Sequence, residues 1–108
     1  MSSSVTVIQP EGSLDVNSSE ALRRDIVNAL DRGTSAILLD CQNITFMDSS
    51  GLSAIVMALK LSRELQIPFS LCSVGDQANI LFSLTGMDQV FDIYKDRAAF
   101  EQTVAQPA

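Results

Sequence analysis

The chain has 108 residues, with 7 Lys plus Arg, 13 Asp plus Glu, a formal net charge of −6 and no histidine. That length is one domain, able to remove roughly 65% of its unfolded surface from water and so to hold one core, and a hydrophobic content of 46% is that of a globular chain rather than a disordered one. The lack of histidine excludes Ser-His-Asp triads, imidazole acid–base chemistry and His-ligated metals, and the acidic balance runs against sequence-independent nucleic-acid binding, which needs cations for the phosphates.

Met1-Ser2-Ser3-Ser4-Val5 has no basic start and no apolar stretch after it, so no signal peptide is expected. Ser2 to Ser4 read as a loose end. Val5-Thr6-Val7-Ile8-Gln9 is β-branched and bounded by Pro10, which predicts a strand. Pro10 and Gly12 mark a turn, and Gly12-Ser13-Leu14-Asp15 carries a short second extended piece. Asn17, Ser18 and Ser19 are candidate N-caps for a helix to about Asp31, with Leu22, Ile26, Ala29 and Leu30 at helical spacing and Gly33 beyond its end.

Ala36 to Cys41 is a short apolar run, expected to be a strand buried on both faces. Ile44 to Met47 leads into Asp48-Ser49-Ser50-Gly51, where a long apolar helix starts and runs to about Leu65. Ile67-Pro68 breaks it. Phe69 to Val74 is the next strand; Asp76 is expected to cap a helix ending at Gly86; Val90 to Tyr94 is a last strand; Asp96 caps a final helix through about Val104, and Ala105 to Ala108 read as a second loose end. Alternating strands and helices predict an α/β fold: one domain over 1–108, ordered over about 5–104, with a mostly parallel sheet and about four helices. No apolar stretch approaches the roughly 18 residues needed to span a bilayer, so neither membrane insertion nor a location outside the cytoplasm is expected. Cys41 and Cys72 read as two buried thiols in a reducing compartment, with a single disulfide as the alternative.

Three features carry possible chemistry. Asp48-Ser49-Ser50-Gly51-Leu52 sets two hydroxyls and a carboxylate where a helix begins, beside free N–H groups and the positive end of the helix dipole. An N-cap is the simplest use of them. An esterase elbow needs a small residue two positions before the serine, and Met47 stands there. The following helix has two apolar stripes, one of Leu52, Ile55, Val56 and Leu59 and one of Ala54, Met57, Ala58 and Leu61. One covers the sheet; the other is covered by neighbouring helices or by a partner protein. The third feature is Gly12-Ser13-Leu14-Asp15, a turn with a cap. No G-x-G-x-x-G or Walker A loop and no paired carboxylates occur, so no cofactor or metal site is implied.

Taken together, Gly12-Ser13-Leu14-Asp15, Ile37-Leu38-Leu39-Asp40, Ile44 through Leu52, and Ile80-Leu81-Phe82 with Thr85-Gly86-Met87 resemble the STAS family, and most closely its single-domain bacterial anti-sigma factor antagonists. The likeness covers roughly residues 5 to 104. It implies a two-layer fold with a mixed, mostly parallel four- to five-stranded sheet. It also implies a protein-binding module without enzymatic activity. By this resemblance Ser49 is the phosphoacceptor, and Asp15, Asp48, Ser50, Gly51 and Leu52 form the partner-binding set. The implied partners are an anti-sigma factor that is also a serine kinase, and a serine phosphatase. Two departures stand out: Val5 to Gln9 matches the second strand of the family's longer members, and Pro10-Glu11 replaces an apolar–threonine pair before Gly12. A second reading is a STAS-type subunit that regulates a membrane transporter or carries a small apolar ligand. A gene neighbourhood of transporter subunits would favour it over the kinase circuit.

Overall fold

A computed structural model describes residues 4–105; of the two loose ends, residues 1–3 and 106–108 lie outside it. The elements are β1 (Val5–Ile8), β2 (Gly12–Leu14), α1 (Val16–Asp31), β3 (Ala36–Asp40), β4 (Ile44–Met47), α2 (Ser49–Glu64), β5 (Phe69–Cys72), α3 (Asp76–Thr85), a 3-10 turn over Met87–Gln89, β6 (Asp92–Tyr94) and α4 (Arg97–Ala105). The alternation expected from the sequence is present, but the strands divide into two ladders. One is a four-stranded sheet in the order β1-β3-β5-β6; the other pairs β2 with β4, and every pairing is parallel.

The division begins at Pro10-Glu11. Gly12 has φ +79°, a left-handed conformation that costs glycine little. Its N–H donates to the Asn43 carbonyl at 3.0 Å, so the chain leaves the large sheet and joins β4 instead. The register then skips Thr45, pairing Gly12 with Ile44, Ser13 with Phe46 and Leu14 with Met47. Such a bulge re-aims the residues that follow it.

β3 lies at the centre and is buried at every position, as its unbroken apolar run implies. Side chains alternate across the sheet. Ile37, Leu39, Phe69 and Leu71 pack with Leu22 and Ile26 of α1, Ile55 and Leu59 of α2 and Phe82 of α3. Leu38 and Cys72 pack with Phe100 of α4, alongside Val5, Val7 and Tyr94. Cys41 belongs to the first of these clusters and Cys72 to the second, so the two sulfurs point to opposite faces and the disulfide alternative falls away. Burial pushes the Cys41 thiol up to about 12, with Cys72 and Asp40 adding to it, and burial with Asp40 pushes Cys72 up to about 11. Both therefore stay protonated and unreactive at neutral pH.

Several boundaries differ from the sequence reading. The N-cap of α1 is Asp15, not Asn17, Ser18 or Ser19, because the strand pairing ends at Leu14 and the helix starts at once. β5 stops at Cys72 because Ser73 turns left-handed at φ +56°. The N-cap of α3 is Gly75, which leaves Asp76 inside the first turn, where its charge still meets the dipole favourably. β6 is shorter than Val90 to Tyr94 because Phe91 turns inward and meets Phe82 edge-on, 5.2 Å between ring centres. Asp96 does hold the start of α4, its carboxylate accepting from the Ala99 N–H at 2.8 Å.

Candidate functional site

The β2–β4 ladder ends on the pair Leu14 and Met47, and the next residue in each strand is an aspartate that caps a helix. Asp15 opens α1 and Asp48 opens α2, so the two helices begin side by side. The Asp48 N–H donates to the Leu14 carbonyl at 3.2 Å, and the Ser19 hydroxyl lies 3.3 Å from the Ser50 carbonyl that accepts from it. Two positive helix ends thus lie together, each with a carboxylate over it, which offsets their mutual repulsion.

The Asp48 carboxylate accepts from the Gly51 N–H at 3.0 Å, and its carbonyl accepts from the Leu52 N–H at 3.0 Å. Ser49 is the first residue of α2, is exposed, and makes no side-chain hydrogen bond among the described residues. Ser50 is half-buried beside it. A hydroxyl in this position is reachable by another protein, and helical N–H groups stand next to any negative charge it acquires.

Gly51 and Leu52, the other two residues expected in the partner-binding set, are both buried in the chain. A Cβ on Gly51 would sit 2.2 Å from the Leu14 carbonyl oxygen and 2.9 Å from the Leu14 carbonyl carbon. The glycine is needed because β2 crosses the first turn of α2 at backbone contact. It positions the serine loop from beneath. Leu52 anchors the same turn in the core and shows only an edge to the surface, at 8% exposure.

Three further residues hold the loop, and none carried a sequence signal for that role. The Gln77 side chain bonds the Met47 backbone twice, accepting from its N–H at 2.8 Å and donating to its carbonyl at 2.7 Å. It acts as a missing neighbour strand for the residue just before Asp48. Leu14 and Ser19 supply the contacts already described. A glutamine at the start of a helix is ordinary, and its partner lies 30 residues away.

The second apolar stripe of α2 is mostly covered within the chain. Ala54 and Ala58 are buried, while Met57 is 40% exposed. Leu52, Val56, Met57 and Met87 line an open groove of about 370 Å³ between α2 and the end of α3. Phe46, in the strand leading to the serines, is 47% exposed. Among the described residues no group of three or more His, Cys, Asp or Glu could hold a metal ion, and no helix is long and apolar enough to cross a membrane.

Comparison with known proteins agrees with this fold. The anti-sigma F factor antagonist of Paenibacillus polymyxa is 30% identical over 91 residues, spanning 83% of this chain and 78% of that protein. The crystal structure of an anti-sigma factor antagonist from Mycobacterium paratuberculosis superposes with a TM-score of 0.82 at 20% identity, covering 98% of this chain and 90% of that one. The Bacillus cell fate determinant SpoIIAA in its phosphorylated form superposes with a TM-score of 0.72 at 20% identity, covering 95% and 94%. At those identities the two structures establish the fold alone. A family model for the STAS domain matches residues 2–100, a span that takes in both aspartate-capped helix starts, and the chain belongs to that family.

Proposed function

We propose that this chain is an anti-sigma factor antagonist, a binding module switched by phosphorylation of Ser49. Unmodified, it binds a cognate anti-sigma factor that is also a serine kinase. That kinase supplies ATP and the catalytic groups, in the cytoplasm. A phosphate on Ser49 releases the complex, and a serine phosphatase removes it. The observation that carries this reading is the exposed Ser49 hydroxyl, with no side-chain hydrogen bond among the described residues, at the first position of α2 directly after the Asp48 cap.

Phosphate would add about −1.5 to −2 charges and three acceptor oxygens there. The exposed helix start would stabilise that charge by about 0.3–1 kcal/mol, so the fold itself should change little. A partner packed on a neutral hydroxyl would instead face a dianion beside Asp48. Desolvation and like-charge repulsion should cost several kcal/mol. At about 1.4 kcal/mol per decade of affinity, a loss of about 100-fold or more follows. Asp15, Asp48 and Ser50 flank the contact, and Gly51 and Leu52 hold it in place.

The test is intact-mass analysis of the protein from its native cells, with mapping of the modified residue and identification of the co-purifying protein. One added phosphate on Ser49 is expected. Ser49→Ala should keep the partner with or without ATP, and Ser49→Asp should capture it weakly. A phosphate on Ser50 or elsewhere would overturn the assignment.

A further inference from the structure

β1 is an edge of the four-stranded sheet, paired only with β3 among the described residues. Val5-Thr6-Val7-Ile8 has none of the devices that keep an open edge from pairing: no charge, no proline, no bulge. The opposite edge has them. β6 is three residues long and contains Asp92. Val5 and Val7 are half-buried on the face that α4 covers, so added strand area there would bury more of both.

A recess of about 270 Å³ runs along this open edge. Its floor is Thr6 to Gln9 and its wall is Asp25 and Asn28 of α1 with Arg32, the residue that caps its C-terminal end. The wall residues are spaced three and four apart, so they form one stripe of the helix. The stripe has an acid at one end, an amide in the middle and a base at the other, and all three residues are exposed. Seven residues of helix rise about 10 Å, and the three steps from Val5 to Ile8 also span about 10 Å. Strand and stripe therefore match in length.

We propose that the β1 edge and this stripe form a self-association surface, closed by a two-fold axis normal to the sheet. β1 would pair antiparallel with the partner's β1, giving one continuous sheet of eight strands. The same axis sets Asp25 against the partner's Arg32, Arg32 against the partner's Asp25, and Asn28 at the centre. This charge pattern complements itself when two copies run antiparallel; a parallel pairing would oppose acid to acid and base to base. The surface shares no residue with Asp48 to Leu52, so it stands whether or not Ser49 is the acceptor.

The test is the molar mass of the purified full chain by light scattering across a concentration series. A species approaching twice the 11.7 kDa of one chain is expected at high micromolar concentration. Asp25→Arg alone and Arg32→Asp alone each put like charges together twice per dimer and should weaken association by about tenfold or more. The double variant Asp25→Arg/Arg32→Asp restores the complementary pattern and should restore the dimer. Circular dichroism of each variant, expected to be unchanged at these exposed sites, separates loss of pairing from loss of fold. A monomer at every concentration would overturn the proposal, and so would a dimer indifferent to the single swaps.

Discussion

α1 and α2 start side by side, each behind an aspartate cap, yet they use their serines differently. In α1 the Ser18 hydroxyl accepts from the Asp15 N–H at 3.0 Å and donates to the Ser13 carbonyl at 2.7 Å. The Asp15 carboxylate accepts from the Asn17 N–H at 2.9 Å and also from the Ser18 N–H, which completes a capping box. Ser19 bonds the Asp15 carbonyl and reaches across to Ser50. All of this hydroxyl capacity goes into holding the helix start. In α2 the Asp48 carboxylate and the glycine beneath it do that work, and Ser49 is left over. Two similar sequence signals thus yield one structural terminus and one terminus whose exposed hydroxyl makes no hydrogen bond among the described residues. The backbone uses the hydroxyls of α1 and has no use for that of Ser49.

The sharpest way to break this contrast is Gly51→Ala. The added methyl meets the Leu14 backbone, which cannot swing aside as a side chain would, and about 3 kcal/mol or more of stability should be lost. A denaturant titration reads it; a loss below about 1 kcal/mol would mean that the two helix starts are not held in backbone contact. Asp48→Ala should cost about 1 kcal/mol through the lost cap, and Asp15→Ala a similar amount. Gln77→Ala frees the Met47 N–H and carbonyl at a partly wet site and should cost about 1 kcal/mol, with faster amide exchange at Met47 and Asp48. The smallest effects separate the two serines most directly. Ser18→Ala should lower stability by about 0.5–1 kcal/mol as its share of the capping box is lost. Ser49→Ala should stay within about 0.5 kcal/mol of the parent while abolishing the phosphorylation proposed above. Equal thermal shifts for the two variants would remove the distinction between them.

Much of the architecture was legible in the residues. Periodicity placed α1 and α2, the apolar run of Ala36 to Cys41 placed the central strand, and Gly33 and Gly86 marked helix ends that do turn left-handed. Ser49 stood out because its neighbours form a motif at a strand-to-helix junction. The chain's own pattern could not show that Ile44 to Met47 leaves the main sheet. Its short apolar run suits either ladder, and the choice depends on where Gly12 turns. The cap of α1 is ambiguous in the sequence for a related reason: Asp15, Asn17, Ser18 and Ser19 all suit an N-cap, and only the end of the β2 pairing selects Asp15.

Local chemistry, then, is what the sequence by itself determined: which segments prefer helix or strand, which faces are apolar, and which hydroxyl begins a helix. Propensity and period act over a few residues, and those can be read in order. The tertiary structure alone decided that Gly51 answers to Leu14 and Gln77 to Met47, and that Cys41 and Cys72 face away from each other. Those relations join residues about thirty or more positions apart, and they exist only once two ladders and their helices have packed.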